Sequence, residues 1–377
     1  MPTLRDAAAE AFAAGWVLSF APLASDYKPR ALAAIELACE RPDDPAILEA
    51  TLQLGHLEGI WKTVYDRRDR LVATHLKRIT AAWNAIVSGL DIGQLVTRFR
   101  SAAYLTDDAA ESELDALTAH LAEGRPIGAW QPRHIPGAVM AAISEDLTKN
   151  LTITESVNPH RQFWRDTAIT AALAWLRQVY TADGYNELVT AVEDAIRAGM
   201  AEGEAGALAL AASKQGKTGF DIAAAFKAAY AKAGKGFRIP SQAQDVVTRI
   251  IDGAGGDAGR KLASLAGNGA SKADMADAAS DVVSGPDVPS VTTWTDWGIW
   301  AAMGAGALDL YASADAQTVQ WITAGDANVC ESCQDNEDNS PYPVGEVPSY
   351  PDHPRCRCYL DSDDPGLSAQ LMAYYFG

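Results

Sequence analysis

Cys330, Cys333, Cys356 and Cys358, four of the chain's five cysteines, fall within 29 residues, and His353 stands among them. They run Cys330-x-x-Cys333, then a loop, then His353-x-x-Cys356-Arg357-Cys358. Two thiolates separated by two residues can both face one cation from a tight turn, and a His and a Cys at the same spacing supply a second arm. Soft and borderline donors in two bidentate arms make the closed tetrahedral shell of structural zinc. Five candidate ligands stand where four suffice. The expected set is Cys330, Cys333, His353 and either Cys356 or Cys358, because side chains two apart on an extended segment share a face. The other use of four clustered thiols is two disulfides, or one disulfide and two free thiols. No H-E-x-x-H occurs, and no H-x-E closely precedes the C-x-x-C as it does in zinc deaminases. No catalytic or cofactor-binding residue is therefore assigned, and the protein is expected not to be an enzyme.

The elements that must position these ligands are short. Residues 318–323 (TVQWIT) alternate and are β-branched, which predicts a strand ended by Gly325-Asp326. Residues 335–354 are full of Asp, Asn, Ser and Pro and read as loop. Residues 357–360 predict a second short strand paired with the first. The stretch 334–352 has few apolar residues and four prolines, so burial alone would hardly order it and a metal staple supplies what burial lacks.

Upstream, the periodicity is helical. Residues 4–124 carry apolar side chains at three- and four-residue spacing, with Pro45 after Asp44 as a helix start. Three prolines and two glycines in 124–136 mark a boundary or surface loop. A second helical block covers 159–233, its last helix ending at Gly234-Lys235-Gly236 with lysines near the negative end of the dipole. From Ser241 the pattern predicts short helices, 243–251, 258–265 and 273–283, joined by glycines. Residues 284–290 are a turn, and 293–314 one helix whose Trp294, Trp297 and Trp300 form a core-facing stripe. The fold class is thus mainly α, with helical N-terminal and middle blocks and a small α+β C-terminal Cys/His module. The expected domains are 1–125, 126–240 (a second helical domain or insertion) and 241–377.

A formal charge of -18, from 49 acidic against 31 basic residues, repels phosphate backbones, so nucleic acid is not expected as a direct specific ligand. No apolar run approaches the about 20 residues of a bilayer crossing. The apolar stretch 11–24 lacks the positive start and small-residue cleavage site of a secretory signal, so no membrane role or secretion is expected. Cys39, alone in a helical pattern, reads as a small buried hydrophobe.

The order Trp321-x-Thr323-x-x-Asp326-x-x-Val329-Cys330-x-x-Cys333, then Pro351-x-His353-x-x-Cys356-Arg357-Cys358, resembles the C-terminal signature of the Mu F-like, or phage head morphogenesis, family. Upstream, Ala305-Gly306-Ala307-Leu308-x-x-Tyr311 resembles the end of that family's preceding helix. Thr293-Trp294-Thr295-Asp296 stands where the family has an Arg-Thr-Glu-like start, so a role attached to that arginine does not carry over. The resemblance covers 293–360 well and begins near Ser241. It implies a minor capsid protein of the virion, located in the capsid interior or at the portal vertex and passing through the host cytoplasm during assembly. Its partners would be the portal protein and capsid or scaffold proteins, and its role head assembly or DNA delivery. Some relatives carry a further toxin or enzyme domain after the motif, for which 361–377 is too short. The competing expectation is a cytosolic zinc-dependent enzyme.

Three further motifs are weaker. Lys214-Gln215-Gly216-Lys217-Thr218 has Ala211 where a phosphate loop needs its first glycine. Residues 160–165 (HRQFWR) read as the solvated face of a helix. Asp361, Asp363 and Asp364 lack the distal Glu of a calcium loop and read as a solvated acidic tail.

Overall fold

The computed structural model describes residues 45–102, 159–214, 220–233, 238–266, 270–323, 329–356 and 358–362, with Leu367, Gln370 and Leu371. These residues form nine α-helices and a three-stranded sheet. The protein is mainly helical with a small C-terminal sheet beside a Cys/His cluster, as its periodicity predicts. Cys39, the boundary segment 124–136 and residues 215–218 of the phosphate-loop decoy lie outside the described residues, as do Asp326 and Arg357.

The helices are α1 (Pro45–Val87), α2 (Ile92–Ala102), α3 (Pro159–Leu176), α4 (Tyr185–Lys214), α5 (Ile222–Lys232), α6 (Arg238–Ala266), α7 (Lys272–Val283), α8 (Pro289–Ser313) and α9 (Glu331–Asp338). Their ends follow local rules. Asp221 caps α5 by accepting from the amides of Ala223 and Ala224, each at 3.0 Å. Ser271 and Asp274 form a reciprocal capping box on α7.

The chain gathers into two compact units, each drawn from all three of the stretches expected on composition. One contains His75–Val192 and Ala243–Thr295. In it α2 packs on α3 and α7 through Leu95, Val96 and Phe99, all fully buried. The indole N–H of Trp83 donates to the carbonyl of Val283 (2.7 Å), and that of Trp175 to the carbonyl of Asp91 (3.0 Å). The amide of Asn84 clamps Gly285, donating to its carbonyl at 2.7 Å and accepting from its N–H at 3.1 Å. Gly285 has φ +121°, a conformation open to glycine, and this is the turn expected at 284–290.

The second glycine joint expected after Ser241, at Gly267 and Gly269, lies outside the described residues, while the first is not a break, since α6 runs unbroken through Gly253, Gly255 and Gly256. Their lack of a side chain serves helix packing instead. A Cβ on Gly255 would lie 2.6 Å from the Leu173 side chain, and one on Gly259 2.5 Å from the Ile169 backbone. The tryptophan stripe is also corrected, since Trp300 is buried while Trp294 and Trp297 are half-buried. A helix turns 100° per residue, so three-residue spacing drifts around its surface.

The other unit comprises Met1–Thr74, Glu193–Gln242 and Asp296–Gly377. Within it α4 and α8 approach backbone to backbone at Gly203 and Gly306. Leu208, Leu310, Tyr311, Val319, Leu367 and Leu371 join their alanines in one apolar cluster. Strand β1 (Thr318–Ile322) is central, flanked by β2 (Tyr342–Pro343) and β3 (Tyr359–Asp361), both antiparallel to it. Trp321 pairs with Leu360 and Val319 with Tyr342. Pairing of the first strand with one near 357–360 was expected; β2, inside the stretch read as loop, and α9, which runs into that stretch, were not. Asp361 is buried at 7% exposure, which corrects the solvated reading for that residue, Asp363 and Asp364 lying outside the described residues; beside it the buried Tyr311 hydroxyl donates to the carbonyl of Leu360 at 3.5 Å. Burial first, and the Asp361 charge second, hold that phenol's pKa well above its usual value.

Candidate metal centre

The first arm is the start of α9. Cys330 is its N-cap, and the Cys330 Sγ accepts the amide of Cys333 at 3.4 Å. A cysteine in the capping place usually held by Ser or Asp keeps its sulfur at the helix end, and Cys333, one turn on, falls on the same side. Glu331 in the first turn suits the positive end of the dipole, so this acidic segment closes into a helix despite its loop-like composition.

The second arm is a tight turn. The amide of Cys356 donates to the carbonyl of His353 (3.2 Å), and Arg355 between them adopts φ +65°. A non-glycine residue in that left-handed region costs roughly 1–2 kcal/mol, and the turn it makes brings His353 and Cys356 to one side. The imidazole Nε2 lies 3.2 Å from the Sγ of both Cys330 and Cys333. Cys333 and Cys356 are 3.8 Å apart, sulfur to sulfur. Around one zinc, with bonds of about 2.3 Å to sulfur and 2.0–2.1 Å to nitrogen, tetrahedral edges are about 3.8 Å between sulfurs and 3.5 Å from sulfur to nitrogen. The observed spacings sit within a few tenths of an ångström of these. All four thiols are free, so neither disulfide arrangement is adopted.

Two overlapping groups result. The ligand atoms of Cys330, Cys333, Asp352 and His353 all lie within 4.8 Å of one another, and so do those of Cys333, Cys356 and Cys358. All five sequence candidates are therefore brought together in a Cys/His group that can hold a metal ion. Asp352 was missed. Its only signal in the sequence is adjacency to His353; its Oδ2 accepts from the Ser332 hydroxyl across the two arms at 2.5 Å.

His353 Nδ1 is 2.9 Å from the carbonyl of Pro354, which can only accept, so Nδ1 carries the proton and Nε2 offers its lone pair to the sulfurs. That bond, foremost, raises the imidazole's pKa, with the Cys356 and Cys330 charges adding. Four neighbouring thiols cannot all ionise, and they divide. A hydrogen bond from Cys358, above all, holds Cys356 down at about 6. The same bond, with burial, drives Cys358 up, and burial drives Cys333 up. Cys330, although its partial burial pushes the other way, is lowered by hydrogen bonds from the Cys333 amide and thiol and by the imidazole. Cation binding would expel the remaining protons.

Behind the ligands stands an aromatic wall. Trp321, fully buried, meets the Tyr350 ring edge-on at 5.2 Å, and the Trp300 ring lies 6.0 Å from that of Tyr350. The Tyr350 hydroxyl donates to the carbonyl of Cys358 at 2.7 Å. Trp300 also carries Arg68, 4.9 Å from its ring and paired to Asp296 at 2.8 Å. Thr323, at the end of β1, donates its amide (3.1 Å) and hydroxyl (2.8 Å) to Glu337 of α9. Trp321 and Thr323 of the tryptophan-threonine lead are thus the joints that seat the sulfur module on its strand.

Compared with protein-family models, with curated proteins and with solved structures, the chain matches none. Among the described residues no helix is long and apolar enough to cross a membrane.

Proposed function

We propose that this protein is a minor head protein of a tailed phage, of the Mu F-like kind, acting as a structural part and not as a catalyst. Its helices offer contact surfaces to the portal subunit and the procapsid interior, and the Cys/His module, loaded with zinc, is a rigid element of that surface. One observation carries the reading. The residues of the motif that resembles the Mu F-like signature are those that gather: Cys330, Cys333 and His353 in one ligand group, Cys356 and Cys358 joining Cys333 in a second, with Trp321 and Thr323 fixing the strand beside them. A sulfur-dominated shell is the mark of a structural site, and such a zinc contributes on the order of 10 kcal/mol or more to folding.

The competing reading, a zinc-dependent enzyme, has one feature in its favour: Asp352 is an exposed carboxylate at the rim of the cluster. It is hydrogen-bonded to Ser332, and the cavity lined by Trp300, Tyr350, Tyr359 and Leu360 has none of the candidate ligands in its wall.

The test has two parts. Protein purified under reducing conditions should carry zinc, by elemental analysis, and metal-free protein would reverse the cofactor. The chain co-expressed with the portal subunit of the phage proposed to encode it should co-elute with that subunit on size exclusion. A zinc-loaded chain that elutes alone would overturn the assembly role.

A further inference from the structure

Cys333 belongs to two ligand groups whose chemistry differs. On one side, Cys330, Asp352 and His353 complete a set of two sulfurs, a nitrogen and an oxygen. Asp352 is exposed there, and Cys330 and His353 are half-buried. On the other side, Cys333, Cys356 and Cys358 form a triangle of sulfur alone, with residue exposures of 2%, 2% and 3%. The mixed, wet set suits a borderline divalent ion. The dry triangle offers only thiolates and, at that burial, leaves little access for a water to complete a fourth position. Thiolate ligands select soft ions, and a monovalent d10 ion accepts three of them without a fourth.

We infer that Cys333, Cys356 and Cys358 constitute a second coordination site, an all-thiolate pocket for a soft three-coordinate ion of the Cu(I) class, overlapping the zinc-type set at Cys333. The dimensions fit. Three sulfurs around an ion at about 2.3 Å, the metal–sulfur length zinc adopts, define a triangle with edges of about 4.0 Å. The Cys333–Cys356 edge is 3.8 Å, and the remaining edges lie within 4.8 Å. Cys356 ends the turn that begins at His353, Cys358 leads into β3, and Cys333 meets both from the first turn of α9. Cys358 is thereby given a role that a four-ligand zinc site leaves open. The inference concerns the same module as the zinc reading but does not rest on zinc being bound, or on the assembly role.

The experiment uses the full chain, reduced and metal-free under anaerobic conditions, titrated with Cu(I) against the chromophoric chelator bathocuproine disulfonate and, separately, with Zn(II). Cys358→Ser should lower Cu(I) affinity at least about tenfold and leave zinc affinity unchanged. Cys330→Ser should do the reverse. Cu(I) affinity that follows Cys330 and ignores Cys358 would overturn the assignment, as would equal loss of both ions in Cys358→Ser. Copper-edge X-ray absorption on the unmutated chain avoids any folding defect of the variants: three sulfurs and no nitrogen are expected, and a histidine nitrogen in the shell would refute the site. Failure of the zinc reading registers elsewhere, as absence of zinc from the purified protein.

Discussion

Tyr350→Phe removes one oxygen and touches no ligand, yet it should weaken metal retention. Tyr350 is half-buried, and its hydroxyl end lies inside, where burial first and neighbouring charges second hold its pKa well above the usual phenol value. That hydroxyl donates at 2.7 Å to the carbonyl of Cys358, in the segment that carries Cys356 and Cys358 to the cluster. Losing a hydrogen bond and leaving its buried acceptor unpaired costs about 1–3 kcal/mol. If that cost falls on the ligand-bearing turn, zinc affinity should drop roughly 5- to 150-fold, at about 1.4 kcal/mol per tenfold. Competition against a chromophoric zinc chelator measures this directly. Tyr342→Phe is the control, because its hydroxyl is 3.5 Å from Asn336 and bears no ligand. A Tyr350→Phe protein that melts earlier but binds zinc within about twofold of the parent would refute the argument, showing that the bond supports the core without orienting the sulfurs.

Three further outcomes follow from the same structure. Gly203→Ala should destabilise by about 1–3 kcal/mol or more in urea unfolding, the opposite of an exposed glycine-to-alanine change in a helix, because its Cβ would meet the Met303 carbonyl at 1.8 Å. Glu202, 2% exposed, receives both Nε and Nη2 of Arg67, so Glu202→Gln should cost about 2–4 kcal/mol, and the double change to leucines should recover most of it. Glu204 has its pKa raised, chiefly by burial and also by Asp309, against the lowering effect of Lys232 at 3.8 Å. The folded chain then binds this proton more tightly than the unfolded chain, so stability falls as pH rises past the unfolded carboxylate value of about 4.3. Glu204→Gln should raise the melting temperature at pH 7 and have no effect below pH of about 4; equal gains at both would refute the titration.

Much of this protein is local physics, and that part was legible in its residues. Apolar spacing of 3.6 marks the long helices, Asp221 and Ser271 stop where caps must stand, and 318–323 could only be a strand because alternation and β-branching agree. The two candidate ligand arms were equally readable in the spacing of the cysteines and the histidine; that the four thiols stay unbridged was not. What only tertiary structure decided are the questions in which partners distant in sequence compete. The glycines of α6 looked like breaks, yet Leu173 and Ile169 press so close that nothing larger fits, and packing overrides propensity there. Residues 331–338 lack any apolar stripe, and the end of β1 holds that helix through Thr323 and Glu337. The sequence also named Cys356 and Cys358 without ordering them. A left-handed turn at Arg355 places Cys356 beside Cys333 and sets Cys358 under the Tyr350 hydroxyl, and it carries Asp352 into the group unannounced. Spacing states which atoms can reach a cation; the backbone path between the arms, with Trp321 and Tyr350 packed behind them, sets which of those atoms lie together.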